Sequence, residues 1–181
     1  MENKDNYARL VLPAKLQITR TLPAPPEKVW EFLVDPELRK MWFCAGETGN
    51  KEGDPFVMDF DHSRISKSKP PEGMNCGDPV IMQGTILTFD RPHVLSYRWP
   101  GENESSETIV TIHLSNQDGR TLLNLTHEGL SNPDFQNGAS AGWHVHLDLL
   151  CDHVAGSQPR DFWVHFGLIE AEYDRKFEAK T

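Results

Sequence analysis

The sequence predicts an α+β fold in which a curved antiparallel sheet is wrapped around one long C-terminal helix. Two observations carry this. The stretch 138–154, GASAGWHVHLDLLCDHV, is the clearest long helix in the chain, with Trp143, Leu147, Leu150 and Val154 recurring at i, i+4, i+7 and i+11. Nearly everything before it reads as strand, in short alternating segments divided by Gly, Pro, Asn and Asp. A lone amphipathic helix after a run of strands buries its stripe most readily on the concave face of a sheet. The gap between the two is a natural place for a small ligand.

The elements follow in order. Residues 1–13 are polar and end in Pro13, and are expected to form a flexible arm. Residues 14–22 alternate, with Leu16, Ile18 and Arg20 on one face, and open the sheet. Pro25, Pro26 and Glu27 then start a short helix, since proline is tolerated in a first turn and acids suit the N-terminal dipole. Asp35 ends it and caps a second short helix over 37–42. Strands are predicted over 55–61, over 80–89 with Gly84 as a bulge or bend, and over 94–99. A hairpin over 107–114 and 121–128 turns through Asn116, Gln117, Asp118 and Gly119. Gly156 caps the long helix, and Phe162, Phe166, Ile169 and Tyr173 mark a C-terminal helix over 161–177, packed behind Val145 and Leu149.

Composition narrows the function. A formal charge of -9 on 181 residues argues against nucleic acid and against anionic membrane surfaces, both of which are bound through Lys and Arg. No apolar run is long enough to cross a bilayer. The N-terminus lacks the order of a secretory signal, and three scattered cysteines form no CxxC pair, so reduced thiols and a cytoplasmic location are expected.

The order strand, two short helices, antiparallel strands, long helix is the helix-grip arrangement. Four segments carry a closer likeness: APPEKVWEFLVDPELRKMWF (24–43), GTILTFDRPHVLSYRW (84–99), TLLNLTHEGL (121–130) and GWHVHLDLL (142–150). Together they resemble the activator of heat-shock-protein-90 ATPase-like family of the START-like (SRPBCC) superfamily, and the likeness covers about 14–177 as one domain. That superfamily includes hydrophobic-ligand binders, polyketide cyclases and aromatase-like enzymes, and a eukaryotic co-chaperone domain. The eukaryotic activator works with a separate N-terminal domain for which this chain has no room, so a chaperone partner is not expected. The polar loop 62–78 exceeds what the resemblance implies and is a candidate lid or contact.

The expected cavity lining is Trp30, Phe56, Met58, Phe60, Met82, Tyr97, Trp99, Leu123, Leu125, Trp143, Leu147 and Leu150, all at positions that permit an inward aim. Tyr97, His127 and His146 are the polar groups that would orient a ligand. The competing reading is that these side chains interdigitate into a filled core, but their large rings and flexible methionines favour an adaptable pocket. His144 and His146 point about 200° apart on a helix and cannot share one ion. His113 sits on the same strand face as Ile109, and a hydrogen-bonded structural role is its ordinary fate. Asp59 and Asp61 share a strand face that a hard cation could use, although a solvated face is the simpler account. Cys44 and Cys151 lack a local activating pattern, and Arg64, Lys67 and Lys69 form the one basic cluster.

Three readings follow. The first is binding of a small hydrophobic or aromatic molecule without cofactor or metal. The second is a cyclase- or hydrolase-type cavity enzyme using His and Tyr as acid and base. The third is a protein-interaction module or chaperone cofactor. A homodimer through the C-terminal helices is a further expectation.

Overall fold

A computed structural model describes residues 7–12, 14–71, 79–100 and 107–178, without the side chains of 11–12, 133–134 and 176–178. Its strands are β1 (Arg9–Leu12), β2 (Lys15–Leu22), β3 (Pro55–Phe60), β4 (Val80–Asp90), β5 (Val94–Trp99), β6 (Thr108–Gln117) and β7 (Arg120–Glu128). Its helices are α1 (Pro26–Val34), α2 (Pro36–Arg39), α3 (Pro133–Ala155) and α4 (Phe162–Glu178). All seven strands form one antiparallel sheet in the order β1-β2-β7-β6-β5-β4-β3. This is the α+β helix-grip expected.

Local chemistry explains most boundaries. On β2, Leu16, Ile18, Arg20 and Leu22 all face inward. The Asp35 carboxylate accepts from the Glu37 and Leu38 amides, the expected N-cap, although α2 is only four residues long and continues as turns through Phe43. Asp118 (φ 54°) and Gly119 (φ 79°) make the two-residue turn between β6 and β7, where both central residues need positive φ. Gly156 (φ 68°) ends α3.

Three expectations need correction. Residues 9–12, placed in the flexible arm, form an edge strand with Leu10 opposite Leu16, and Tyr7 packs against His144 and Tyr173; residues 1–6 and 13 lie outside the described residues. A four-residue strand opening on Arg9 is too short to show a period, so only the partner strand reveals it. Helix α3 begins at Pro133 rather than Gly138, because proline at its start needs no N–H partner. The irregularity in β4 lies between Ile86 and Thr88, not at Gly84. Gly84 is instead a close approach: a Cβ there would sit 2.1 Å from the Arg98 carbonyl oxygen. Gly84→Ala is therefore expected to destabilise the fold by about 2–3 kcal/mol in urea unfolding; a change near zero would show that the strands can part without penalty.

α1 packs on β6, β7 and α3, α2 packs against α1 and reaches β3 through Arg39, and α3 crosses beside β2 with α4 against it. Every side chain from Trp143 to Leu150 is buried. A helix covered all round must satisfy its polar groups internally. Asp148 does so: it accepts from Arg20 of β2 (2.9 Å), Arg160 (2.6 Å) and His165 of α4 (2.8 Å). The exposed sheet edge at β3 is partly covered by residues 45–48, through bridges Ala45–Asp59 and Thr48–Phe56.

Candidate ligand cavity

A cavity of about 750 Å³ lies between the sheet, the first half of α3 and the start of α4. From the sheet it receives Phe60, Met82, Trp99 and His127, and from α3 Trp143 and His146. These six were expected in the lining. The others, Trp30, Phe56, Met58, Tyr97, Leu123, Leu125, Leu147 and Leu150, lie off its wall in the closed core, each no more than 1% exposed. The reason is local filling. Phe56 stacks on Tyr97 at 4.1 Å with the Arg39 guanidinium 4.3 Å over its other side, and Trp30 meets Phe89 edge-on at 5.1 Å. Alternation showed that these residues point inward, but the half of the interior under α1 and α2 is packed.

Several wall residues were not anticipated. Phe162, Trp163 and Phe166 of α4 close one side of the space, so the last helix completes the cavity as well as packing on α3. Phe43, which follows α2, stacks on Trp143 at 5.0 Å, and His62 lies 4.5 Å from the Phe162 ring. Phe135, Gly138, Ala139 and Gly142 line the first turns of α3. A Cβ built on Gly138 or Gly142 meets nothing within 4 Å, so both glycines border open space. Their spacing of four on one helix face was the signal the sequence held.

The cavity's polar groups are few and mostly committed. Trp143 Nε1 donates to His127 Nδ1 (3.1 Å), which leaves the His127 proton on Nε2, directed at Thr108 Oγ1 (2.7 Å). The Thr108 hydroxyl in turn reaches the Trp99 backbone carbonyl (3.4 Å), so one chain of donors ties the Trp143 indole and the His127 imidazole to the main chain of β5. His146 Nδ1 donates to the Trp42 carbonyl at 2.7 Å, leaving Nε2 as its lone pair. Burial pushes the pKa of His127 down to about 3, and burial aided by neighbouring His62 does the same for His146. Burial also lowers His62, against the pull of Asp61, and raises Glu170, which lines the cavity from α4. His62 and His146 lie 5.7 Å apart between ring centroids.

The remaining candidates resolve differently. His113 is exposed on the far side of the sheet. Asp59 and Asp61 are both bridged by Arg64, at 3.1 and 3.5 Å, which supplies the positive charge a cation would bring. His144, Asp148 and His165 place three potential ligand atoms within 4.8 Å of one another. Arg20 and Arg160 already occupy the Asp148 carboxylate, however, so an ion there would face two guanidinium charges at contact. We read this group as the ion-pair network that ties α4 to α3 and β2. Burial drives the Cys44 thiol up to about 12 and the Cys151 thiol up to about 11, which removes nucleophilic character from both; Cys76 lies outside the described residues. Of the 62–78 loop, residues 66–68 are held by Asp161 at the start of α4, whose carboxylate accepts from Ser66 Oγ and the Lys67 and Ser68 amides; residues 72–78 are outside the described set. Among the described residues no helix is long and apolar enough to cross a membrane.

Comparisons with known proteins agree with this architecture. A protein of Bordetella parapertussis solved by NMR is 31% identical over 92% of this chain and 87% of its own, with a TM-score of 0.78. CalU16 of Micromonospora echinospora is 20% identical over 93% of each chain, with a TM-score of 0.65. A conserved protein of unknown function from Enterococcus faecalis is 20% identical over 95% of this chain and 90% of its own, at 0.66. At these lower identities the likeness concerns the fold. No curated protein matches the chain. Residues 23–155 match the family described as Activator of Hsp90 ATPase homolog 1-like protein. The chain belongs to that family.

Proposed function

We propose that the protein binds a small, largely apolar aromatic molecule in the cavity between the sheet, α3 and α4. The observation that carries this is the space itself: about 750 Å³ walled by stacked rings, with two helical glycines on its border. Glycine inside a helix costs roughly 1 kcal/mol relative to alanine, and Gly138 and Gly142 both have room for a Cβ that the chain does not use. Burying apolar ligand surface here is favourable by about 25 cal/mol per Å².

A matched ligand at about a hundred times its Kd stabilises the fold by roughly 2.7 kcal/mol, which for this chain length is a rise in Tm of about 5–10 °C. The test is a thermal-shift screen of aromatic compounds, with native mass spectrometry of fresh protein to find a retained molecule. Gly142→Leu should keep the fold and lose the response by filling the space. Flat midpoints across the panel, with no retained molecule, would remove the reading.

A second reading, an acid–base enzyme, has the His62–His146 pair in its favour, since one substrate atom between the rings can reach both. Tyr97, the expected phenolic partner, is excluded from this role because its ring is stacked beneath Phe56 in the core. Recovery of a bound compound unchanged in mass after long incubation would leave binding alone.

A further inference from the structure

We propose that the cavity selects an uncharged aromatic molecule carrying an O–H or N–H donor, which bonds to His146 Nε2, and that it discriminates against anions. This rests on the cavity reading above and specifies the chemistry of its occupant.

The argument is an inventory of the wall's hydrogen-bonding capacity. Both nitrogens of His127 are taken, one by Trp143 and one by Thr108. His146 spends its only proton on the Trp42 carbonyl, so toward the cavity it can only accept. Burial keeps that ring neutral through the physiological range. An acceptor in an apolar space is satisfied by a ligand donor and left unpaired by a ligand without one. The Glu170 carboxylate has the same preference and adds negative charge, whereas His62, whose charge burial disfavours, can donate or accept as a neutral imidazole and so favours neither class of ligand.

Cations that could hold an anion are absent from the wall among the described residues: no Lys or Arg lines the cavity. The nearest guanidiniums along the chain are committed elsewhere. Arg98, next to Trp99, pairs with Glu107; Arg64, two residues from His62, pairs with Asp59 and Asp61; and Arg160, two residues from Phe162, pairs with Asp148 and Asp152. A formal charge of -9 on the whole chain adds a repulsive field. A carboxylate ligand would lose its hydration and gain no counter-charge.

The test compares 4-hydroxybiphenyl, its methyl ether 4-methoxybiphenyl and biphenyl-4-carboxylate near neutral pH, by thermal shift and by quenching of tryptophan fluorescence. The phenol is expected to bind about tenfold more tightly than the ether, and the carboxylate most weakly. His146→Asn keeps an N–H for the Trp42 carbonyl but removes Nε2, and should bring phenol and ether within about twofold of each other. Glu170→Gln, on the half-exposed side of α4, should narrow the gap to the carboxylate and gives a second test should His146→Asn fail to fold. Equal binding of phenol and ether, tightest binding of the carboxylate, or a phenol preference that survives His146→Asn would overturn the selectivity and leave the cavity reading intact. No response to any of the three would remove the cavity reading and the selectivity together.

Discussion

Between about pH 6.5 and pH 4.5 the domain is expected to lose roughly 5 kcal/mol of stability, before its carboxylates titrate. The cause is the burial of His127 and His146, whose pKa values fall from 6.5 to about 3. At neutral pH both are uncharged in the folded and unfolded chains, and folding pays no proton penalty. As the pH drops through 6.5 the unfolded chain takes up two protons that the folded one refuses. Each then tilts the balance by about 1.4 kcal/mol per pH unit, until the folded values near 3 are reached. His62, also lowered by burial, acts in the same direction. Asp148 has the same sign in a lower window. Despite the cost of burial, its hydrogen bonds to His144 and His165 and the charge of Arg20 hold its pKa far below the usual value, so its stabilisation is lost only as the pH falls below about 4. The measurement is urea unfolding as a function of pH. His127→Gln, which can still accept from Trp143 and donate to Thr108, should halve the slope. A stability that stays level from pH 7 to pH 5 would contradict the burial of both rings.

Replacing Arg39 is expected to be the most damaging single core change, at about 3–5 kcal/mol and a fall in Tm of roughly 10 °C or more. Its guanidinium is buried and, among the described residues, forms no ion pair with a carboxylate. It donates instead to the carbonyls of Cys44 (3.2 Å), Ala45 (3.3 Å), Gly46 (2.8 Å) and Val57 (2.9 Å) and to the Thr48 hydroxyl, and it covers the Phe56 ring. Burial lowers its pKa, but the many oxygens around it stand in for solvent. Arg39→Met fills the volume and strands those acceptors. Arg39→Lys should do little better, because one ammonium cannot span acceptors arranged for a planar fork. The loop pinned by Arg39 follows directly from Phe43, which stacks on Trp143 at the cavity wall, so either variant should also weaken ligand binding. A loss below about 1 kcal/mol in chemical denaturation would show that these carbonyls find water instead.

Much of this was legible in the residues. The alternation of β2 put Arg20 inward beside Leu16 and Ile18, against its polarity, and the structure shows why: it meets Asp148 of α3. Asp35 announced a cap, Asp118-Gly119 a turn and Gly156 a helix end, because each depends on bonds within a few residues. Arg39 gave no such warning. An arginine in the last turn of a short helix is ordinarily a surface residue, and its acceptors belong to a loop whose path no local pattern specifies.

The cavity divides along the same line. Phe60, Met82, Trp99, His127, Trp143 and His146 were identified because strand parity and helical spacing tell which way a side chain points. Phe56, Met58, Tyr97 and Leu125 share the same parity yet line no space, since direction carries no information about what lies opposite. α1 and α2 with Arg39 fill one end of the interior, whereas Gly138, Gly142 and the rings of α4 bound the open end. The sequence by itself determined six of the seven strands, their inward faces and the helix that crosses them, because those follow from periodicities of two and 3.6 residues. Only the tertiary structure decided where the interior is solid and where it is hollow, because that depends on the volumes of residues brought together from distant parts of the chain.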